Sequence, residues 1–211
     1  MSDGREPGRR RVGGAADTTP SGSFGKISGG ASSRGVSRAP AVGSGAPTPG
    51  AMRAARRRWA TGVAVVTSVD GEGSARVFRG ATVSSLTTVS VEPPLLLVCL
   101  DRDSAIGKLV AATGVFAVSI LDRRHEFQAD RFSGYGPQAD PRFAGIAHTI
   151  GATGCPILLD ALAWFDCRVF ATHDGGDHAI VIGEAVGIGV GADTDDPLLN
   201  YEGAYRRIEG A

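Results

Sequence analysis

The sequence predicts a mainly β protein, a β-barrel carrying a few short helices, and three observations predict it. Runs rich in apolar and β-branched residues outnumber helical patterns, six or seven against two to four. The runs do not alternate with helices, as a parallel doubly wound sheet requires. Short Gly- and Asp-rich stretches join neighbouring runs in the manner of hairpin loops.

The 211 residues carry 22 basic and 22 acidic side chains, so net charge gives no pull toward nucleic acid or a membrane surface. The balance is uneven. Residues 1–50 hold seven Lys/Arg against three acids, leaving the other 161 residues at −4. One domain with a real core fits that remainder. No apolar run approaches the roughly 20 residues of a membrane span. The three cysteines lack C-x-x-C spacing, which argues against a disulfide framework or zinc knuckle and points to a reduced, cytoplasmic protein.

Residues 1–50 contain 12 Gly, 8 Ser and 5 Pro, with Phe24 the only aromatic. So few large apolar residues cannot offset the entropy of ordering, so this stretch is expected to be a disordered tail, and Met52 is a candidate start. Residues 51–211 form the folded domain. Met52 to Ala60 reads as a short helix with Met52, Ala55 and Trp59 on one face. Trp59 and Trp164 are expected in the core. Gly62 to Val69 is a strand, turned by Asp70-Gly71-Glu72-Gly73-Ser74 into a second at Arg76–Phe78.

The stretch from Arg76 to Lys108 organises the chain. Gly80, Thr82, Ser84 and Ser85 form a small hydroxylated cluster that leaves backbone N–H groups reachable. Read without further context, these hydroxyls are more simply the polar face of a strand. Pro93-Pro94 then separates two strands, the second being the apolar run Leu95–Leu100. Ser104 is placed to cap a helix beginning at Ala105, and hydroxyls, backbone donors and a helix N-terminus together suit a phosphate-bearing cofactor.

That helix runs to Ala112 and stops near Gly114. Val115 to Leu121 is a strand and Arg124 to Phe132 a helix, broken by Gly134-Tyr135-Gly136-Pro137. Pro141 to Gly154 is a loop anchored by Phe143 and Ile146. Leu158–Ala171 and Ala179–Val190 form a long strand pair, whose first member does not alternate cleanly enough to assign faces. Thr172 to His178 joins them; a metal cluster there is the lesser reading, because four ligands on a turn lack rigid support. Gly187 to Ala192 fits G-x-G-x-x-A, but an acidic turn follows where the dinucleotide fingerprint needs a helix. No G-x-S-x-G elbow or P-loop supports a hydrolase or nucleoside triphosphatase.

From Ala60 to Ile208 the chain resembles the flavin reductase family, the reductase components of two-component flavin monooxygenases. The residues carrying the resemblance are Ala60–Thr67, Gly80–Ser85, Val89–Pro94, Cys99–Ser104, Gly176-Asp177-His178 and Tyr201–Arg206. It implies an FMN-binding split β-barrel that forms a homodimer, binds FMN or FAD, and takes a hydride from NADH or NADPH. Reduced flavin then diffuses to a separate monooxygenase.

By the same resemblance, Thr82, Val83, Ser84 and Ser85 match the loop against the flavin ring and ribityl chain. Leu100 and Asp101 match the turn beside the ribityl chain. Ser104 matches the phosphate end, and Arg131-Phe132 a basic–aromatic pair near it. His178 matches a histidine on the nicotinamide side, and Tyr205-Arg206 a segment closing over it. Two acids at 101 and 103 near a phosphate need compensation, for which Arg102 and Lys108 are available. The alternative is a flavin- or haem-binding module of the same barrel without useful reductase activity. A pyridoxamine-phosphate-oxidase-like oxidase lacks its basic phosphate cluster here.

Overall fold

The computed structural model describes residues 45–134, 143–191 and 196–208. Most of the expected N-terminal tail lies outside these residues, as do Tyr135–Pro137 and Pro141.

Helix α1 spans Pro49–Arg56, earlier than the expected Met52–Ala60. Thr48 sets the start: its hydroxyl accepts from the Ala51 N–H at 3.1 Å, and Pro49 occupies the first turn, where a missing N–H costs nothing. No residue of α1 is buried, and Trp59 beyond it is 75% exposed. The placement of Trp59 in the core is therefore corrected. Two arginines and no large apolar residue but Met52 give α1 nothing to bury.

Strands β1 (Thr61–Gly62) and β2 (Ala64–Asp70) follow, and a hairpin leads from β2 into β3 (Val77–Val83). After a short loop come β4 (Thr87–Ser90) and β5 (Leu95–Asp101), separated as the two prolines require. Helix α2 covers Ala105–Thr113 and ends at Gly114 in the left-handed region (φ 68°). Strand β6 (Val115–Ile120) leads through one 3-10 turn into α3 (Glu126–Ser133). The expected loop over 141–154 contains a short strand, β7 (His148–Ile150), paired with β8 (Pro156–Leu158). The long hairpin is β9 (Ala163–Gly175) and β10 (His178–Val190), and the chain closes with β11 (Leu199–Tyr201) and β12 (Ala204–Arg206).

One antiparallel seven-stranded sheet in the order β3-β2-β6-β9-β10-β5-β4 forms the body of the fold. Ala64 and Val66 of β2, Val118 of β6, Cys167 of β9, Val181 of β10 and Val98 of β5 all enter one buried cluster. Helix α2 touches β2 and β3 near one end of that order and β5 near the other, and Ser85, just after β3, bonds Cys99 of β5, so the sheet curls on itself into a barrel. Ile106 and Val110 of α2 complete that interior. Val65 of β2 and Val63 just before it face a second cluster outside the barrel with Phe132, Phe143, Ile146 and Leu198. Strand β2 is therefore buried on both sides from Ala64 to Val69, with Thr67 and Ser68 buried among its apolar residues.

Beyond its ordinary pairs, the β9–β10 register shifts twice, leaving Phe170 and Val186 as extra residues. Those bulges remove the clean alternation that the sequence of the first strand also lacks. Trp164 is half-buried against Gly189: a Cβ at that glycine would fall on the indole ring. The G-x-G pattern is thus a packing surface for tryptophan.

Candidate functional site

Three corners of the barrel hold the residues singled out above. The first lies where β5 ends, α2 begins and the β9–β10 hairpin turns. Asp101, the last residue of β5, pairs with His178, the first of β10. Asp101 Oδ1 accepts from the Asp103 N–H at 2.8 Å, and its carbonyl accepts the Ser104 hydroxyl at 2.7 Å. Ser104 Oγ in turn accepts from the Gly107 N–H at 3.0 Å, so the predicted cap is formed. Leu100 is a buried core residue beside this turn.

His178 donates from Nδ1 to Asp177 Oδ1 at 2.7 Å. That bond holds the Asp177 carboxyl below the usual carboxylate range. Asp174 is also held low, first by the Gly176 N–H and then by the Arg102 guanidinium. Arg102 is committed to this hairpin, and Lys108 lies 3.6 Å from Asp103, so both cations pair with local acids. Between α2 and β10 opens a cavity of about 480 Å³, lined by Leu100, Arg102, Lys108, Val110, Thr172 and Val181 among others.

The second corner is the β3–β4 loop. Thr82 donates its hydroxyl to the Ala129 carbonyl of α3 at 2.6 Å. Ser85 Oγ accepts from the Cys99 N–H at 3.0 Å and donates to the Cys99 carbonyl at 3.1 Å. Val83 packs against the barrel core. Ser84, between the two tethers, is exposed and borders a cavity of about 250 Å³ with Trp59, Thr61, Ala64, Leu86 and Ile120. Nothing stands within 4 Å of a Cβ built on Gly62, so open space adjoins this wall.

At the third corner α3 meets β12. Tyr205 donates its phenol to Asp130 Oδ1 at 2.8 Å. Burial first, and the Asp130 bond second, push that phenol well above its ordinary range. Arg131 is buried, with its guanidinium carbon 5.8 Å from the Phe127 ring centre. Phe132 is a core residue: its ring lies under Gly80, where a Cβ would come within 2.9 Å, and 5.0 Å from the Phe143 ring. Arg206 is exposed at the end of β12.

Thr82 ties the second corner to the third, and Ser85 ties it through Cys99 to the strand of the first. The loop Thr82–Ser85 is therefore the hub. The residues that sequence reading missed are Trp59, Asp130 and Arg102 in its present role. Asp130 is 75 positions from Tyr205, so nothing local could mark the pair. Trp59 was visible as a tryptophan outside any apolar run, a signal for exposure. Cys155 and Cys167 are buried, and burial raises their thiols to about 11 and about 12. They carry no nucleophile at neutral pH.

The curled antiparallel barrel thus carries a doubly tethered hydroxyl loop beside an indole-walled cavity, a concave and largely apolar place with one exposed hydroxyl. The chain belongs to the flavin reductase-like domain family, whose model matches residues 56–209. It is similar to the FMN reductase (NADH) RutF of Agrobacterium fabrum, 38% identical over 154 residues, which cover 73% of this chain and 85% of that protein. The reductase subunit HsaB of a flavin-dependent monooxygenase from Mycobacterium tuberculosis is 35% identical over 162 residues, 76% of this chain and 83% of that one. A probable flavin reductase of Rhizobium meliloti is 40% identical over 135 residues, 64% of this chain but 42% of that longer protein. Among solved structures, Streptomyces globisporus SgcE6, an NADH:FAD oxidoreductase in complex with NAD and FAD fragments, is similar at TM-score 0.67 and 30% identity. That match covers 76% of this chain and 92% of SgcE6.

The residues present suit a flavin. Indole, Leu86 and Ile120 offer apolar walls to a ring system, and exposed Ser84 offers one hydroxyl to its polar edge.

Proposed function

We propose that this chain is an NAD(P)H:flavin oxidoreductase that takes FMN or FAD and feeds reduced flavin to a separate monooxygenase. The observation that carries this reading is the Thr82–Ser85 loop, fixed at both ends by hydroxyl bonds while Ser84 stays open to the Trp59 cavity. Ser84 and the adjacent backbone hold the flavin ring edge. Asp101 and Ser104 order the turn beside the ribityl chain and phosphate, and Arg131, Tyr205 and Arg206 bound the far side. Bound flavin supplies the hydride acceptor, so the protein's work is orientation and electrostatics.

His178 orients the nicotinamide. Its Nδ1–H faces the Asp177 carboxylate, which leaves Nε2 as the ring nitrogen to meet the carboxamide of a nicotinamide. The partner monooxygenase is supported by the reductase-subunit role named for the HsaB relative. A homodimer is supported by Val186, Ile188 and Val190, which leave an exposed apolar stripe along β10. Three free cysteines support a reducing, cytoplasmic location, and no helix among the described residues is long and apolar enough to cross a membrane.

Oxidation of NADH and NADPH with and without added FMN or FAD tests the reading, and flavin-dependent turnover is the expected result. Flavin binding without turnover would make the chain a storage or sensing module instead. His178→Ala is expected to raise the KM for NADH about tenfold and to change flavin affinity less than about twofold.

A further inference from the structure

We propose that Arg102 is the positioning residue for His178, holding the β9–β10 hairpin against the start of α2 so that the imidazole stands at a fixed place. The inference rests on the nicotinamide-facing role given to His178 above. Arg102 Nε donates to the Gly176 carbonyl and to the His178 carbonyl, each at 3.1 Å. Its terminal nitrogen donates to Asp174 Oδ1 at 2.8 Å. Its own backbone N–H donates to the Asp177 carbonyl at 3.2 Å. Asp174 Oδ1 also accepts from the Gly176 N–H at 2.9 Å, so one carboxylate oxygen joins the guanidinium to the turn itself. Every residue from Asp174 to His178 except Gly175 is thus bonded to Arg102.

The hairpin needs such a support because of where its third strand stops. Strand β5 ends at Asp101, which pairs with His178. Beyond that pair the tip has only the β9–β10 ladder, and its turn is Gly176-Asp177, with Gly176 at φ 79°. Two glycines at a tip give it wide conformational freedom. Arg102 follows β5 directly and carries its support around the corner. A plain exposed ion pair contributes little to holding geometry. A planar fork that binds two carbonyls and a carboxylate at once fixes both distance and orientation, and a lysine ammonium on a flexible stem lacks that fork.

The test is a double-mutant cycle between Arg102→Lys and His178→Ala, read as separate KM values for NADH and for FMN. Arg102→Lys keeps the charge, and circular dichroism of each variant verifies that the barrel is folded. The expected result is a KM for NADH raised roughly fivefold to tenfold, with FMN affinity by fluorescence quenching changed less than about twofold. In the His178→Ala background the same substitution is expected to move the NADH KM by less than about twofold, because nothing remains to position. A loss of equal size in both backgrounds would overturn the proposal, since Arg102 would then act on its own account. If His178→Ala raises the NADH KM and Arg102→Lys does not, the positioning role alone falls. If His178→Ala leaves the NADH KM unmoved, the role of His178 falls and the role of Arg102 goes with it.

Discussion

Asp122, 1% exposed, ties the 3-10 turn ahead of α3 together through one carboxylate. Oδ1 accepts from the Arg124 N–H at 2.8 Å and from His125 Nδ1 at 2.7 Å; Oδ2 accepts from Arg124 Nε at 2.7 Å. Burial by itself would raise this carboxyl, but the Arg124 bond and the His125 ring outweigh it and hold it below its usual value. Asp122→Asn leaves Arg124 and His125 facing a neutral amide and is expected to cost about 3 kcal/mol, read from urea midpoints. A depressed carboxyl contributes stability that is complete above the unfolded value of 3.8 and is lost as pH falls through the folded one. The difference between wild type and variant should therefore narrow as pH falls below 3.8. A gap that persists unchanged in acid would assign the loss to packing instead. Residue-scale features were legible where the partner is local. Ser104 could be read as a cap because Gly107 lies three positions on. The bonds of Tyr205 to Asp130 and of Thr82 to Ala129 join distant parts of the chain, and no spacing encodes them.

At the scale of elements, the β9–β10 hairpin shows why strands were easier to find than faces. Both strands were visible as apolar runs, but two bulges shift their register, and alternation cannot survive an inserted residue. The three-residue strands β7 and β8 are too short for any period to appear, so that stretch read as a loop. Gly183 sits at the first bulge because of what lies beneath it. A Cβ built there collides with the edge of the Phe116 ring of β6, which is fully buried, and crowds Cys167 of β9. Gly183→Ala must therefore displace a core aromatic or part the two strands, at a cost of about 1–3 kcal/mol. Thermal denaturation is expected to show a melting temperature lower by several degrees. An unchanged melting temperature would mean that Phe116 has a second rotamer available in the core.

For the whole molecule, the strand-rich, non-alternating order of elements made the barrel legible before any contact was known, while its closure was not. Closure depends on Ser85 tying the β3–β4 loop to Cys99 of β5, and on α2 filling the interior beside β2. Those are contacts between segments whose sequences say only that each is apolar or hydroxylated. The outer surface follows similar logic. Gly187 and Gly189 of β10 turn inward onto Trp164, so Val186, Ile188 and Val190 turn outward and remain 45%, 53% and 84% exposed. Apolar side chains repeated on one strand face without a covering element are costly in water, and a second copy of the same face would cover them isologously. The chain is expected to run as a dimer in light scattering. The pair Val186→Asp and Ile188→Asp should shift it to the monomer mass, because like charges would then meet across the symmetry axis. A dimer that survives both substitutions would place the interface on another face, and a wild-type monomer would leave the stripe without a role in self-association.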